Sequence, residues 1–453
     1  MSIFRRLAAG ASVTACVALM PLVAAQATPI SAAIPDQAAA GSAAGWLASQ
    51  VNSQGFVPST PGATTASYSS TAQVALALAS AGVDLDLARS SVAYLENHVD
   101  AYVQTAGVDG PAQLSLLILD AHALGLDPRS FGGTDLVARL LATQQTTGPD
   151  AGLFGTETQA ANYAAGGYQQ GLALAALAAA GVRGTPQTTA GVSWLTSEQC
   201  PDGGWTTPDN ANNPCNGTPA NYQGPDTNAT SLAVQGLVAQ GALSSQVSSA
   251  ALAFLSTGQD GDGGWSYYPN TTVTPGSTDP DSTALVIQAL IALGQSPAAA
   301  TYAQSGGNPL SALLTFQLTS GSASGAFDFT SPPASGNLIA TYQAVPALEG
   351  LTLPWVAPSR GYWEVAKDGG LFAFGDANFY GSMGGKPLTQ PVVGIAATPD
   401  GHGYWEVAAD GGLFAFGDAN FYGSMGGKPL TQPVVGIAAT PDGHGYWEVA
   451  ADG

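Results

Sequence analysis

Positively charged side chains are scarce in this chain of 453 residues. Lys and Arg together number ten against 31 Asp and Glu, so the formal net charge is −21. Proteins bind nucleic acids and anionic lipid surfaces through clusters of Lys and Arg. We therefore expect no nucleic-acid partner and no attraction to an anionic membrane surface.

Long apolar runs are absent except at the amino terminus, where two arginines precede a long apolar stretch that ends in Ala-Gln-Ala. This pattern is typical of a secretory signal peptide, residues 1–27, cleaved after Ala27. A retained membrane helix and lipid attachment at Cys16 are alternatives. The sequence favours cleavage, which predicts a secreted or cell-surface protein with no stable membrane span and with a flexible segment at residues 28–41.

Cysteine and histidine are also rare, with three and four copies. Removal of the signal leaves Cys200 and Cys215, and an even number of cysteines in an exported chain predicts a disulfide, worth roughly 3 kcal/mol for a loop of this length. Zinc is the competing interpretation, but two thiols with no nearby histidine make a poor zinc site. His98 and His122, the histidines of the helical region, suit structural roles better. We expect neither a metal nor another cofactor.

Residues 42–352 instead contain abundant Ala and Leu in twelve predicted helices of two alternating kinds. A helix that is apolar on every side is buried, whereas a striped one covers a core, so we predict an inner ring of six helices wrapped by six others. The predicted inner helices are 72–81, 112–124, 168–180, 230–240, 283–293 and 339–350. Glycines suited to left-handed helix ends follow five of them, at Gly82, Gly125, Gly181, Gly241 and Gly294.

Glycine-rich hairpins recur between the helix pairs, and two read Gln-Cys-Pro-Asp-Gly-Gly-Trp and Gln-Asp-Gly-Asp-Gly-Gly-Trp. Alternating helices with such hairpins resemble the prenyltransferase and squalene oxidase repeat family. The resemblance implies a mainly α fold, an (α/α)6 toroid of the squalene-cyclase kind over residues 42–352. It also implies structural roles for the repeated side chains Gln199, Asp202, Trp205, Gln259, Asp262 and Trp265.

The strongest catalytic candidate is Asp279-Pro-Asp-Ser282, ahead of the fifth inner helix. It resembles the Asp-x-Asp-Asp-Thr-Ala motif of class II terpene cyclases, which implies Asp281 as the proton donor and Asp279 in support. Ser282 replaces the last Asp of that motif. Alternatively, Asp281 or Ser282 caps the helix, as Asp, Ser and Thr often do. Asp226 precedes the fourth inner helix in the same way, which favours capping.

Other chemical signals are weaker. Carbocation chemistry needs aromatic faces, and few aromatic residues stand near the starts of the inner helices: Tyr163, Tyr168 and Tyr342. Asp260 and Asp262 could contact calcium, but no spaced loop of calcium ligands follows.

After a predicted linker, residues 353–360, comes a second repeat system of 361–402, 403–444 and a partial copy, 445–453. Each copy has short β-rich runs between Gly-rich turns, which suggests propeller-like blades. The copies resemble Gly-Tyr-Trp repeats of exported actinobacterial proteins. Two copies and a fraction cannot close a propeller, so a longer array, an open module and pairing between chains remain alternatives.

These features favour an exported, non-catalytic binding or surface-interaction protein. The predicted partners are an apolar or isoprenoid ligand in the toroid cavity and a cell-envelope or protein partner of the β repeats. The alternative is a terpenoid cyclase- or prenyltransferase-like enzyme, a class II terpene cyclase-like isomerase with Asp281 as the general acid on an isoprenoid.

Overall fold

The computed structural model describes residues 36–155, 166–207, 215, 224–269, 277–357, 361–374, 377–398, 401, 403–440 and 445–453. The predicted signal peptide, Cys16 and Tyr163 lie outside these residues. Within them, no helix is both long and apolar enough to cross a membrane.

The helices of the described residues fall into two layers. The inner layer consists of α2 (Tyr68–Ala81), α5 (Pro111–Ala123), α7 (Gly167–Ala179), α9 (Thr227–Ala239), α11 (Pro280–Ala292) and α13 (Leu338–Leu348). The outer layer consists of α1 (Gln37–Ala48), α3 (Leu85–Glu96), α6 (Leu136–Ala142), α8 (Pro186–Ser197), α10 (Ser245–Thr257) and α12 (Pro309–Leu314). Outside the two layers are a short helix α4 (Val99–Val103), a 3-10 turn (Ala300–Tyr302) and two two-residue strands, β1 (Gln104–Thr105) and β2 (Val108–Asp109).

The inner helices form a closed ring. Each packs against the next in chain order, and α13 packs back against α2. Each outer helix packs against an inner helix, and α1 contacts both α13 and α2. The predicted α/α toroid-like fold is confirmed. One boundary differs, because α1 already begins at Gln37, inside the segment 28–41 that the sequence suggested to be flexible.

The inner helices are buried on nearly every side because they face the ring axis, two neighbours and an outer helix. In α7 every residue from Gln169 to Ala178 is buried. The approach of α7 to α9 requires glycine, since a Cβ on Gly171 would lie 2.1 Å from the Leu232 carbonyl oxygen. The five predicted helix-ending glycines all have positive φ angles, between 57° and 74°.

The hairpins join each outer helix to the next repeat. The indole N–H of Trp205 donates to the Leu195 carbonyl, and that of Trp265 donates to the Leu255 carbonyl, both at 2.7 Å. The backbone N–H of each Trp donates to a threonine on the following inner helix, Thr230 or Thr283. Both indole rings are fully buried.

The motif glutamines contact the following outer segment. The Gln199 side chain donates to the Gly203 and Val247 carbonyls, and the Gln259 side chain donates to those of Gly263 and Tyr302. Asp202 and Asp262 accept from the backbone N–H two residues further on and so stabilise the turns. The predicted disulfide is present, with the Cα atoms of Cys200 and Cys215 5.3 Å apart.

The carboxyl-terminal repeats form small antiparallel sheets. Their strands are β3 (Tyr362–Val365), β4 (Leu371–Phe374), β5 (Val392–Ala397), β6 (Gly403–Ala408), β7 (Leu413–Gly417), β8 (Val434–Ala439) and β9 (Tyr446–Ala450). The sheets are β3-β4, β5-β6-β7 and β8-β9, so the last strand of one copy pairs with the first strand of the next. The small antiparallel sheets agree with short β-rich repeats, and their propeller-like arrangement stays a prediction.

Residues 353–360 are not simply a linker. Leu353 and Trp355 are buried in the same apolar core as the toroid helices. The toroid therefore extends to residue 357 of the described chain.

Candidate functional site

A central cavity follows the axis of the helix ring. Its wider part has a volume of about 270 Å³ and lies at the amino-terminal ends of the inner helices. A narrower part of about 60 Å³ lies deeper between the helices. Both parts share the wall residues Gln73, Leu116, Tyr168, Leu172, Tyr342 and Gln343.

The second residue of the inner helices recurs in the wall at the mouth of the cavity. Five of these six residues line it: Ser69, Ala112, Tyr168, Asn228 and Ile339. The sixth equivalent position, in α11, is Asp281. Asp281 is not among the described wall residues, but the repeat places it on the cavity-facing side of its helix, one turn before Leu285, which is a wall residue.

The next layer is the sixth residue of each inner helix, one turn deeper. All six line the cavity: Gln73, Leu116, Leu172, Leu232, Leu285 and Gln343. Four leucines and two uncharged amides make this layer mainly apolar. The cavity therefore becomes less polar from its mouth inward.

The deep end is crossed by the segment 351–357, which we call the floor segment. Its Leu353 N–H donates to the Gln235 side chain on α9 at 3.0 Å, and its Ala357 N–H donates to the Ala123 carbonyl at the end of α5 at 2.9 Å. Leu353 and Trp355 line the cavity from below. The segment thus runs from α13 across the ring to α9 and α5.

Aromatic residues are more numerous around the cavity than the sequence suggested. Tyr168 and Tyr342 line it as expected, and Tyr102, Tyr267 and Trp355 join them. The last three come from the short helix α4, the segment after a hairpin and the floor segment, so no inner-helix periodicity could have identified them. No charged side chain is found among the described wall residues.

The structure separates the roles of the two motif aspartates. Asp279 is the cap of α11, and its Oδ1 accepts the Ser282 N–H at 2.8 Å. Asp226 caps α9 in the same manner, at 2.7 Å from the Ala229 nitrogen. The interpretation of Asp281 or Ser282 as the helix cap is therefore wrong, because Asp279 fills that position. Asp281 is left without a capping role.

Asp281 has an unusual environment for a carboxylate. Its Oδ1 atom is buried and has no hydrogen-bond partner in the described structure. Burial, with the negative charge of Asp279 as a smaller cause, raises the pKa of Asp281 to about 8. Burial also raises the pKa of Asp279. Asp281 is thus mainly protonated at neutral pH, as a general acid must be.

Several other polar atoms at the cavity are unpaired. The Gln343 Oε1 and the Trp355 Nε1 are both buried and have no hydrogen-bond partner among the described residues. Buried polar groups normally have partners. These two atoms are therefore available to a ligand or to water inside the cavity.

The remaining candidates do not join this site. His98 stacks on Tyr94 at 4.2 Å, and burial lowers the pKa of His122. Asp260 and Asp262 both accept from the Thr278 hydroxyl and so hold the hairpin together. In the described part of the chain, no group of three or more His, Cys, Asp or Glu is arranged to hold a metal ion.

Comparison with known families agrees with this architecture. Residues 131–306 match the family model of the squalene-hopene cyclase C-terminal domain. The matched residues all lie within the helical region, which is therefore similar to a squalene-cyclase-like repeat domain. No curated protein matches the sequence.

Several solved structures are similar to this chain at low sequence identity. A UGL variant described with dGlcA-Glc-Rha-Glc is 15% identical, with a TM-score of 0.51, over 72% of this chain and all of its own. The type II terpene cyclase MstE from Scytonema is 17% identical, with a TM-score of 0.46, over 69% of this chain and 96% of its own. The ent-copalyl diphosphate synthase from Streptomyces platensis is 16% identical, with a TM-score of 0.40, over 62% of this chain and 50% of its own. At such a low sequence identity, the similarity to the UGL variant indicates a shared fold and nothing more.

Proposed function

We propose that this chain is an exported binding protein whose toroid holds an uncharged, largely apolar small molecule of isoprenoid character. The cavity carries the proposal, because its walls pass from a mixed polar and aromatic mouth to a leucine-rich layer above a floor of Leu353 and Trp355. Small-molecule sites are typically apolar clefts with a few polar groups that orient the ligand. The disulfide is consistent with an oxidising, extracellular location.

The ligand is expected to carry no strong negative charge. Proteins bind phosphates through Arg, Lys, metal ions or exposed helix N–H groups. The described cavity wall contains no Lys or Arg, and Asp279 and Asp226 already occupy the amino termini of α11 and α9. An isoprenoid alcohol or hydrocarbon therefore fits the mouth better than a diphosphate.

The test compares geranylgeraniol with geranylgeranyl diphosphate on the full chain by native mass spectrometry and calorimetry. We expect the alcohol to bind at least tenfold more tightly. Leu285→Trp places a large ring inside the cavity and should weaken binding of the alcohol at least tenfold. Leu252→Trp, on outer helix α10, is the matched control and should bind normally. Equal binding by the wild type and Leu285→Trp, or tighter binding of the diphosphate, would contradict the proposal.

A second candidate function is acid-initiated cyclisation, which the position of Asp281 favours. The Asp281 carboxyl would donate its proton to a carbon of an alkene, the resulting cation would close a ring with a second alkene, and a proton would then be lost to a base. The reaction is an isomerisation and needs no co-substrate. The tyrosines around the cavity offer ring faces that stabilise positive charge.

Incubation of the chain with an acyclic isoprenoid, followed by gas chromatography and mass spectrometry, tests this second function. We expect a cyclic isomer whose rate of formation falls as the pH rises through about 8, because Asp281 then loses its proton. Asp281→Asn should abolish the product, whereas the hairpin variant Asp202→Asn should keep it. Turnover that survives Asp281→Asn would rule out this mechanism.

A further inference from the structure

The carboxyl-terminal copies, 361–402, 403–444 and 445–453, contact each other through a tyrosine that recurs in each copy. In the second copy, the Tyr404 hydroxyl accepts the Tyr380 N–H at 2.9 Å and donates to the Gly381 carbonyl at 2.6 Å. In the third copy, Tyr446 makes the same two bonds, to the Tyr422 N–H and the Gly423 carbonyl. Both tyrosines therefore reach back to a Tyr-Gly-Ser-Met-Gly-Gly segment of the preceding copy.

A recurring glutamate adds a second contact between successive copies. Glu406 is fully buried, and its Oε2 lies 3.3 Å from the position that a Cβ on Gly369 would take. The Oε2 atom of Glu448 likewise lies 3.1 Å from the position that a Cβ on Gly411 would take. In each case the glycine belongs to the Asp-Gly-Gly turn of the copy before.

Strand pairing is the third contact. Strand β6 is the centre of a three-stranded sheet, with β5 of the preceding copy on one side and β7 of its own copy on the other. Strand β9 likewise pairs with β8 of the copy before it. In these two copies the first strand thus pairs with the Val-Val-Gly-Ile-Ala-Ala strand of the preceding copy.

The first copy has the same face without a predecessor. Among the described strands, β3 pairs only with β4, so one edge of β3 is open. Tyr362 is 54% exposed, whereas its equivalent Tyr404 is fully buried. Glu364, the equivalent of the buried Glu406, is also exposed. An open edge with exposed aromatic side chains is a template for pairing with another strand.

We propose that this first-copy face, made of Tyr362, Glu364 and the open edge of β3, binds one further copy of the same repeat carried by another polypeptide. The incoming Val-Val-Gly-Ile-Ala-Ala strand pairs with β3. Its Tyr-Gly-Ser-Met-Gly-Gly segment covers Tyr362, and the Asp-Gly-Gly turn of the same copy covers Glu364. Two interfaces within this chain already have this form. The recognition is β-strand addition, in which backbone bonds give affinity and side-chain pockets give specificity. It does not depend on what the toroid binds.

The probe is a fluorescent peptide with the sequence of residues 377–398, which contains the Val-Val-Gly-Ile-Ala-Ala strand and the Tyr-Gly-Ser-Met-Gly-Gly segment. Titrated with the full chain and followed by anisotropy, it should bind saturably. Tyr362→Phe removes the hydroxyl that would make both backbone bonds to the peptide. At about 1 kcal/mol for each bond, the change should weaken binding by roughly five- to thirtyfold. Tyr446→Phe is the matched control, since it removes the same hydroxyl from a face that is already covered, and it should bind the peptide normally.

A peptide with Ile395→Pro should bind much more weakly, because proline disrupts a paired strand. Absence of saturable binding, or equal binding by the wild type and Tyr362→Phe, would overturn the proposal. Sedimentation of the chain alone provides a further check. Dimerisation that Tyr362→Phe abolishes would show that a second copy of this chain takes the face, which would overturn the assignment to a different polypeptide. A monomer is the expected result, because both Val-Val-Gly-Ile-Ala-Ala strands of the described chain, β5 and β8, are already paired with β6 and β9.

Discussion

At the residue scale, Asp279 and Asp281 differ in function although they stand two positions apart. Asp279 precedes α11 and can reach the free N–H groups of its first turn, so it acts as the cap. Asp281 lies inside the first turn, where the equivalent residue of α9 is the cavity-lining Asn228. Both residues are acidic and stand near a helix start. Their roles could be assigned only after the first residue of the helix was known.

Asp281→Asn should make the fold more stable at alkaline pH. A folded-state pKa of about 8, against about 4 in the unfolded chain, means that the folded state holds this proton more tightly. The wild type therefore loses stability as the pH rises from about 4 to about 8, and the amide removes this dependence.

Urea denaturation at pH 4 and at pH 9 measures the effect. The free energy of unfolding of the variant should equal that of the wild type at pH 4 and exceed it at pH 9. A variant that is less stable than the wild type at pH 9 would show that ionised Asp281 is favourably held.

At the element scale, the helices were predictable because their signals are local. Apolar periodicity, capping residues such as Asp226 and the glycine that ends each inner helix all lie within one or two turns of the element they define. The hairpins were predictable for the same reason, since the motif from Gln259 to Trp265 carries its own turn residues and anchors.

Elements that depend on distant contacts were not predictable. The floor segment is short, apolar and proline-containing in sequence. It is held by Gln235 and Ala123, residues more than a hundred positions away. Tyr102 and Tyr267 reach the cavity from outside the inner helices. Nothing near these residues in sequence indicates that they would meet at the ring axis.

At the scale of the whole molecule, the helical repeat closes on itself. Open repeat proteins gain stability mainly from neighbouring repeats and need capping units at their ends. Here the side chain of Gln317, near the end of the toroid, donates to the Ala39 carbonyl on α1 at 3.0 Å. The first and last helix pairs therefore stabilise each other, and the toroid should unfold as one unit.

Gln317→Ala should destabilise the toroid by about 1–3 kcal/mol, because it removes the bonds to the Ala39 and Gly325 carbonyls. Gln50→Ala is the control, since among the described residues the Gln50 side chain bonds within its own helix end, to Trp46 and Ser49. Chemical denaturation of both variants gives the two free energies of unfolding. If Gln50→Ala lowers the free energy of unfolding as much as Gln317→Ala does, ring closure has no special role in stability.

The floor segment also determines how molecules exchange with the toroid. Because residues 351–357 cross one end of the ring, we expect molecules to enter and leave the cavity through its mouth. A bound molecule must then leave by the route through which it entered, so a second molecule cannot displace it from the deep end of the cavity. Release and uptake are then sequential events, and a slow departure would limit turnover as well as binding.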